Sequence, residues 1–193
     1  MEKLVELYRK WAGSAPANVE KLAGAGSNRA YYRLTDSEGK TVIGVIGTSR
    51  DENHAFIYLA KHFAKRQLPV PHVLAVSVDE MCYLQTDLGV ISLFDAIRGG
   101  REAGGRYNLA EQELLRKTIK ELPNFQLRGA RGLDYSYCYP QAEFNEESVL
   151  FDLNYFKYCF LKATEIDFHE LKLQANFRMF AKDLTSEKIE AFQ

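Results

Sequence analysis

Residues 24–34, Gly-Ala-Gly-Ser-Asn-Arg-Ala-Tyr-Tyr-Arg-Leu, constrain this chain more than any other stretch. Gly24 and Gly26 allow a tight turn at φ > 0 and a close approach of backbone N–H groups to an anion. The turn opens onto a strand at about 30–34, and Val19 to Leu22 precede it as a short strand. The polar connection Thr35-Asp-Ser-Glu-Gly-Lys40 then suits a hairpin into the β-branched run Thr41-Val-Ile-Gly-Val-Ile46, a central strand. Asp51 reads as the N-cap of a helix whose face is Phe56, Leu59, Ala60, Phe63 and Ala64. Leu68-Pro-Val-Pro71 is a loop, because its two prolines disrupt either ladder. Segments 73–77 and 81–86 form a second hairpin around Asp79-Glu80. The first 90 or so residues thus order as strand, strand, strand, helix, strand, strand, an antiparallel five-stranded sheet with one helix packed on it. An N-terminal helix bearing Leu4, Val5, Leu7, Tyr8 and Trp11 precedes them and ends at Gly13-Ser-Ala-Pro16.

Beyond residue 90 the pattern turns helical. Ser92 caps a short helix ending at Gly99-Gly100, and the Gly- and Arg-rich stretch 99–106 is expected to be a flexible loop. Asn108 and Glu111 have capping-box spacing and open a helix with the face Leu114, Leu115, Thr118, Ile119 and Leu122. Residues 125–145 read as irregular and aromatic-rich, and 147–164 as a helix. Asp167 with Glu170 forms a second capping box for a helix to about Lys182, and Ser186 starts a last short one. The fold class expected is α+β, in two parts: a sheet-bearing lobe at 1–90 and an unfinished helical lobe at 91–193.

The formal net charge of −1, from 25 basic and 26 acidic residues, argues against non-specific nucleic-acid binding, which needs a basic surplus. No apolar run approaches the roughly 20 residues that span a bilayer, and the N-terminus is not a signal peptide, so a cytoplasmic protein without a membrane partner is expected. Cys82, Cys138 and Cys159, odd in number and widely spaced, read as buried reduced thiols. His54, His62, His72 and His169 are scattered and form no metal-ligand cluster.

Several pieces share an order and spacing: Gly26-Ser-Asn-Arg-Ala-Tyr-Tyr-Arg-Leu34, Asp51-Glu-Asn-His-Ala-Phe56, Leu68-Pro-Val-Pro71, Leu84-Gln-Thr-Asp-Leu-Gly89 and Ser92-Leu-Phe-Asp95. Through them the chain resembles the aminoglycoside phosphotransferase/choline kinase superfamily. Within it the likeness is to bacterial kinases of the anomeric hydroxyl of N-acetylmuramate, N-acetylglucosamine or a related N-acetylhexosamine. It covers most of residues 20–100 and continues through Asp152-Leu-Asn-Tyr-Phe156. The resemblance implies a protein-kinase-like fold, ATP and Mg²⁺ as cofactors, and a small sugar as substrate. It implies that the turn residues Gly24, Gly26, Ser27, Asn28 and Arg29 cover the phosphates. Backbone groups of Gln85, Thr86, Asp87 and Leu88 would then meet the adenine edge, and Val45 would pack on the purine. Val45 fits plain core equally well, and Asp87 fits a turn before Gly89 equally well.

Two departures from that pattern matter. Kinases place a Lys on the third strand to contact the phosphates, and Thr41–Ile46 has none, so Arg29 and Arg33 are the candidate cations; each also reads as a solvated hairpin charge. A kinase catalytic loop needs an Asp with an Asn five residues on, and no Asp of this chain has one. Ile166-Asp-Phe168 fits a helix start better than a metal-binding motif. The chain therefore offers no catalytic residue and no metal ligand, and reads as the N-terminal part of a sugar kinase, inactive alone. Asp152 and Asn154 are the candidate sugar contacts, near the aromatic segment Asp134-Tyr-Ser-Tyr-Cys-Tyr-Pro140. A non-catalytic module binding a nucleotide or a partner is the alternative. A kinase of aminoglycosides or choline is another, given Glu143, Glu146, Glu147 and Asp152. An unfinished helical lobe would expose Phe177 and Phe180 and favour self-association.

Overall fold

The computed structural model describes residues 1–24 and 28–186. They fall into two compact units that divide between Tyr139 and Pro140. In the first unit, helix α1 (Glu2–Ala12) ends at Gly13, whose left-handed φ of 79° lets its N–H reach the Arg9 carbonyl. Strands β1 (Asn18–Lys21), β2 (Ala30–Thr35), β3 (Thr41–Ile46), β4 (Val73–Val76) and β5 (Cys82–Thr86) form one antiparallel sheet in the order β1-β2-β3-β5-β4. The β2–β3 connection is the expected tight hairpin. The Asp36 carboxylate accepts from the Glu38 and Lys40 N–H groups, and Gly39 takes φ +85°.

Helix α2 (Arg50–Lys65) connects β3 to β4. Its N-cap is Ser49, not Asp51: the Ser49 hydroxyl accepts from the Glu52 N–H at 3.3 Å from an extended backbone, and Asp51 lies in the first turn. Both faces of the sheet are covered, because side chains alternate along a strand. On one face Leu4 and Tyr8 of α1 pack on Leu34, Cys82 and Leu84. On the other, Ile57 of α2 packs on Ile43, Val45 and Tyr83. Gly44 sits under α1, where a Cβ would collide with Leu34 and Leu4, so a side chain there would have to displace both buried leucines.

The short helices α3 (Leu93–Ala96) and α4 (Arg98–Glu102) follow, with the expected Ser92 cap on α3. The flexible loop expected at 99–106 is replaced in its first half by α4. Gly100 lies against the Tyr107 ring with no room for a Cβ, and its N–H donates to the buried Glu111 carboxylate at 2.9 Å. Glycine here serves close packing rather than mobility. Helix α5 (Leu109–Pro123) starts at the expected Asn108–Glu111 capping box, with both reciprocal bonds formed. Its expected apolar face is largely exposed at Leu114, Ile119 and Leu122. Residues 125–145 are not wholly irregular. A wide helical turn, Asn124–Arg128, continues α5, and a 3-10 turn spans Tyr135–Tyr137.

The second unit holds α6 (Glu146–Cys159) and α7 (Glu170–Leu184), packed on each other. A 3-10 turn, Leu161–Thr164, and Glu165 at φ 58° separate them, so the single helix expected at 147–164 ends early. The second expected capping box is absent. α7 begins at Glu170 behind His169, whose ring accepts from the Lys172 N–H, and Asp167 stays outside the helix. The Lys157 ammonium is buried between the two helices on Glu170 (3.3 Å) and Gln174 (3.5 Å). Phe177 is buried, against expectation, while Phe180 is exposed. The last expected helix lies outside the described residues apart from Ser186. Of the three unpaired cysteines only Cys82 is buried; Cys138 is half-buried and Cys159 exposed. Among the described residues no helix is long and apolar enough to cross a membrane.

Candidate functional site

The residues proposed to meet a nucleotide lie in the first unit, on the sheet face that α2 covers and at the ends of β2 and β5. Gly26 and Ser27 lie outside the described residues. Gly24 is exposed, does not take a left-handed φ and has open space around its α-carbon, and Asn28 is exposed in a bend before β2. Arg29, just before β2, is turned inward, its side chain only 11% exposed. Its guanidinium contacts the Glu52 carboxylate at 3.0 Å, donates to the Glu52 carbonyl at 3.1 Å, and stands 5.3 Å from the centre of the Phe56 ring. Phe56 in turn stacks on Tyr83 of β5 at 5.0 Å. Glu52 and Phe56 lie four apart on α2 and so share one helix face. The first turns of α2 thereby hold a cation just ahead of β2 by charge, hydrogen bond and cation–π contact.

Arg33 is engaged elsewhere. It faces the same side of the sheet, in register with Ile43 and Gln85 across β3 and β5. Its guanidinium makes two bonds to the Asp87 carboxylate, at 2.6 and 3.2 Å, and a third to the Gly89 carbonyl at 3.2 Å. Asp87 also accepts the Gly89 N–H at 2.9 Å, in the manner of an Asx turn. The Arg33 guanidinium, with the Gly89 amide, holds the Asp87 carboxyl down at about 2, despite partial burial. Asp87 is therefore both the turn residue and an ion-pair partner, and Arg33 fastens the start of the sheet to the chain leaving β5.

Gln85 and Thr86 are inside the sheet, so their backbone groups do not form an accessible edge. The Thr86 N–H donates to the His72 carbonyl, and its hydroxyl accepts from the His72 N–H, each at 3.0 Å. Leu88 lies beyond the ladder and is exposed. Val45 has no exposed surface; it is core beneath α2 and presents nothing to a purine ring. Two polar atoms on this face of β5 are buried with no hydrogen-bond partner, the Tyr83 hydroxyl and the Gln85 side-chain oxygen. Burial pushes the Tyr83 hydroxyl up, so it is a neutral donor at any physiological pH.

Asp152 and Asn154 lie on α6, in the second unit. Two positions apart on a helix, they do not share a face; Asp152 is exposed and Asn154 half-buried. The structure does not bring them together as a pair.

Arg29 is engaged by Glu52 and Phe56, and the described residues contain no group of three or more His, Cys, Asp or Glu placed to hold an ion. Sequence reasoning singled out Arg29 but missed Glu52, Phe56 and Tyr83. The only local signal for Glu52 is an acid in the first turn of a helix, common to most helices. The chain matches no protein-family model and no curated protein.

Proposed function

We propose that this chain carries the nucleotide-binding lobe of an ATP-dependent phosphotransferase whose substrate is an N-acetylated amino sugar. One observation carries the reading: a five-stranded antiparallel sheet, ordered β1-β2-β3-β5-β4 with α2 between β3 and β4, in which an acid from the first turn of α2 pairs with a cation beside the glycine turn. Kinases form that ion pair between a Lys on the third strand and a Glu on the helix. Here the third strand has no Lys, and Arg29 supplies the cation from the end of the turn. ATP, when bound, supplies the transferable phosphoryl group. Arg29 would hold its phosphates, Glu52 and Phe56 would orient Arg29, and the Arg33–Asp87 pair would keep the chain leaving β5 in place. A guanidinium suits this task because it is charged at all working pH and donates in a fixed fork.

Thermal unfolding of the full chain with and without millimolar Mg-ATP tests the reading. A ligand that binds only the native state raises the midpoint, by about 2.7 kcal/mol of stabilisation at a hundredfold excess over Kd. A rise with ATP and none with an unrelated polyanion such as citrate is expected; no rise at 5–10 mM, roughly ten times a weak Kd, sinks the proposal.

A second reading, a module that binds nucleotide without turnover, is favoured by the absence of an Asp with Asn five residues on and of a metal-holding cluster among the described residues. Sugar-dependent ADP release by the full chain would exclude it.

A further inference from the structure

The outer face of α2, turned away from the sheet, is occupied by a segment of the chain's own unit. His54, Tyr58, His62 and Arg66 recur every four residues and form one stripe along the helix and its C-cap. Residues 124–139 run antiparallel along that stripe. Phe125 meets Phe63 edge to face at 5.6 Å. Arg128 donates to the Arg66 and Gln67 carbonyls, and Arg66 donates to the Arg131 carbonyl. The His62 ring binds the Gly129 carbonyl at 2.8 Å, which requires a proton on Nε2. The Asp134 N–H donates to the Tyr58 hydroxyl at 2.8 Å. Tyr137 lies flat on Tyr58, rings 4.3 Å apart and 18° from parallel, and reaches His54 at 5.5 Å. Gly129 serves the strap's own turn: a Cβ there would collide with the Phe125 carbonyl oxygen, and would stand 3.0 Å from the Phe63 ring of α2.

This strap grips α2 from His54 to its C-cap, and the inner side of the same helix carries Glu52 and Phe56, which hold Arg29. A helix moves as a rod, so its outer fastening and its inner cargo are mechanically linked. We propose that residues 124–139 are a positioning strap: by fixing α2 they set the Arg29 guanidinium for the phosphates of a nucleotide, and undocking the strap weakens phosphate binding. The proposal rests on the nucleotide reading above. It makes His54, Tyr58, His62 and Tyr137 positioning residues, none of which touches the ligand.

The test uses the full chain and two ligands, Mg-ATP and adenosine, with affinities from calorimetry. Tyr137→Ala removes the stack on Tyr58, Tyr137→Phe keeps it, and Gly129→Ala disrupts the strap's own turn at Phe125. Hydrogen exchange at the Asp134 amide reads docking of the strap, and exchange within α2 reads the fold. The expected result is lost protection at Asp134 in Tyr137→Ala and Gly129→Ala, with a protected α2. ATP then binds about fivefold or more weakly, the low end of ordinary coupling, with adenosine unchanged and Tyr137→Phe like wild type. In an Arg29→Ala background, Tyr137→Ala should cause no further loss, because the effect passes through Arg29. If wild type binds no ATP, the nucleotide reading fails and this proposal falls with it. If wild type binds and the strap variants lose Asp134 protection but keep ATP affinity, the strap proposal alone is wrong. Equal weakening of ATP and adenosine, or a strap that neither variant loosens, also overturns it.

Discussion

Arg33 on β2 and Asp87 just after β5 have side chains 16% and 8% exposed, covered enough that removing one partner strands the other. Asp87→Asn should therefore destabilise the chain by about 1–3 kcal/mol, read as a lower urea midpoint at unchanged m-value. The pair also has a defined pH signature. The Asp87 carboxyl is held at about 2 by Arg33, below the value of about 3.9 expected for an unfolded aspartate. A depressed carboxylate contributes stability that is full above the unfolded pKa and is lost as pH falls through the folded one. Stability should thus drop between about pH 4 and pH 2 by on the order of 1–2 kcal/mol more in wild type than in Asp87→Asn. Equal slopes in that window would show that the pair carries no such linkage. Sequence reading offered Arg33 as a phosphate cation or a solvated charge, and Asp87 as part of an adenine edge or a turn residue. Their pairing spans 54 positions, and nothing local to either one announces it.

Helix starts show how far local signals reach at the scale of an element. Ser49 and Asp51 are both capable N-caps, two residues apart, and only the backbone decides between them: Ser49 is extended at φ −129°, ψ 127°, and its hydroxyl meets the Glu52 N–H. Ser49→Ala should cost about 1 kcal/mol by thermal or urea unfolding. Asp51→Ala should cost less, a few tenths to about 1 kcal/mol, since only its charge near the helix N-terminus is lost. The reverse order would return the cap to Asp51. The Asn108–Glu111 box, by contrast, was legible outright, because the spacing of a capping box is its geometry. Helical periodicity likewise identified α5 as amphipathic, but an apolar stripe does not name what covers it, and Leu114, Ile119 and Leu122 are exposed. On α2 the apolar pattern pointed to one buried face. The helix is covered on two sides, and the second cover grips through His54, Tyr58 and His62, residues an apolar pattern leaves out.

For the molecule as a whole, the sheet of the first unit is a layer between two separate cores. Leu4 belongs to the α1 side and Ile57 to the α2 side, and the two clusters share no member. Leu4→Ala should cost about 2–5 kcal/mol and Ile57→Val about 0.5–1.5 kcal/mol. The double variant should equal their sum within about 0.5 kcal/mol in urea unfolding, as independent sites do. A larger departure would mean that the two faces respond as one core. The type and order of the elements in this layer, three strands, a helix and two strands behind an N-terminal helix, were determined by the sequence alone. Side-chain periodicity, β-branching, prolines and turn glycines act over a few residues, and the chain declares them locally. The tertiary structure alone decided which polar groups meet: Arg29 with Glu52 across 23 positions, Arg33 with Asp87 across 54, and the strap's Asp134 N–H with the Tyr58 hydroxyl across 76. Those pairings depend on how finished elements dock, and docking is set by the summed packing of both faces rather than by any one residue's neighbours in the chain.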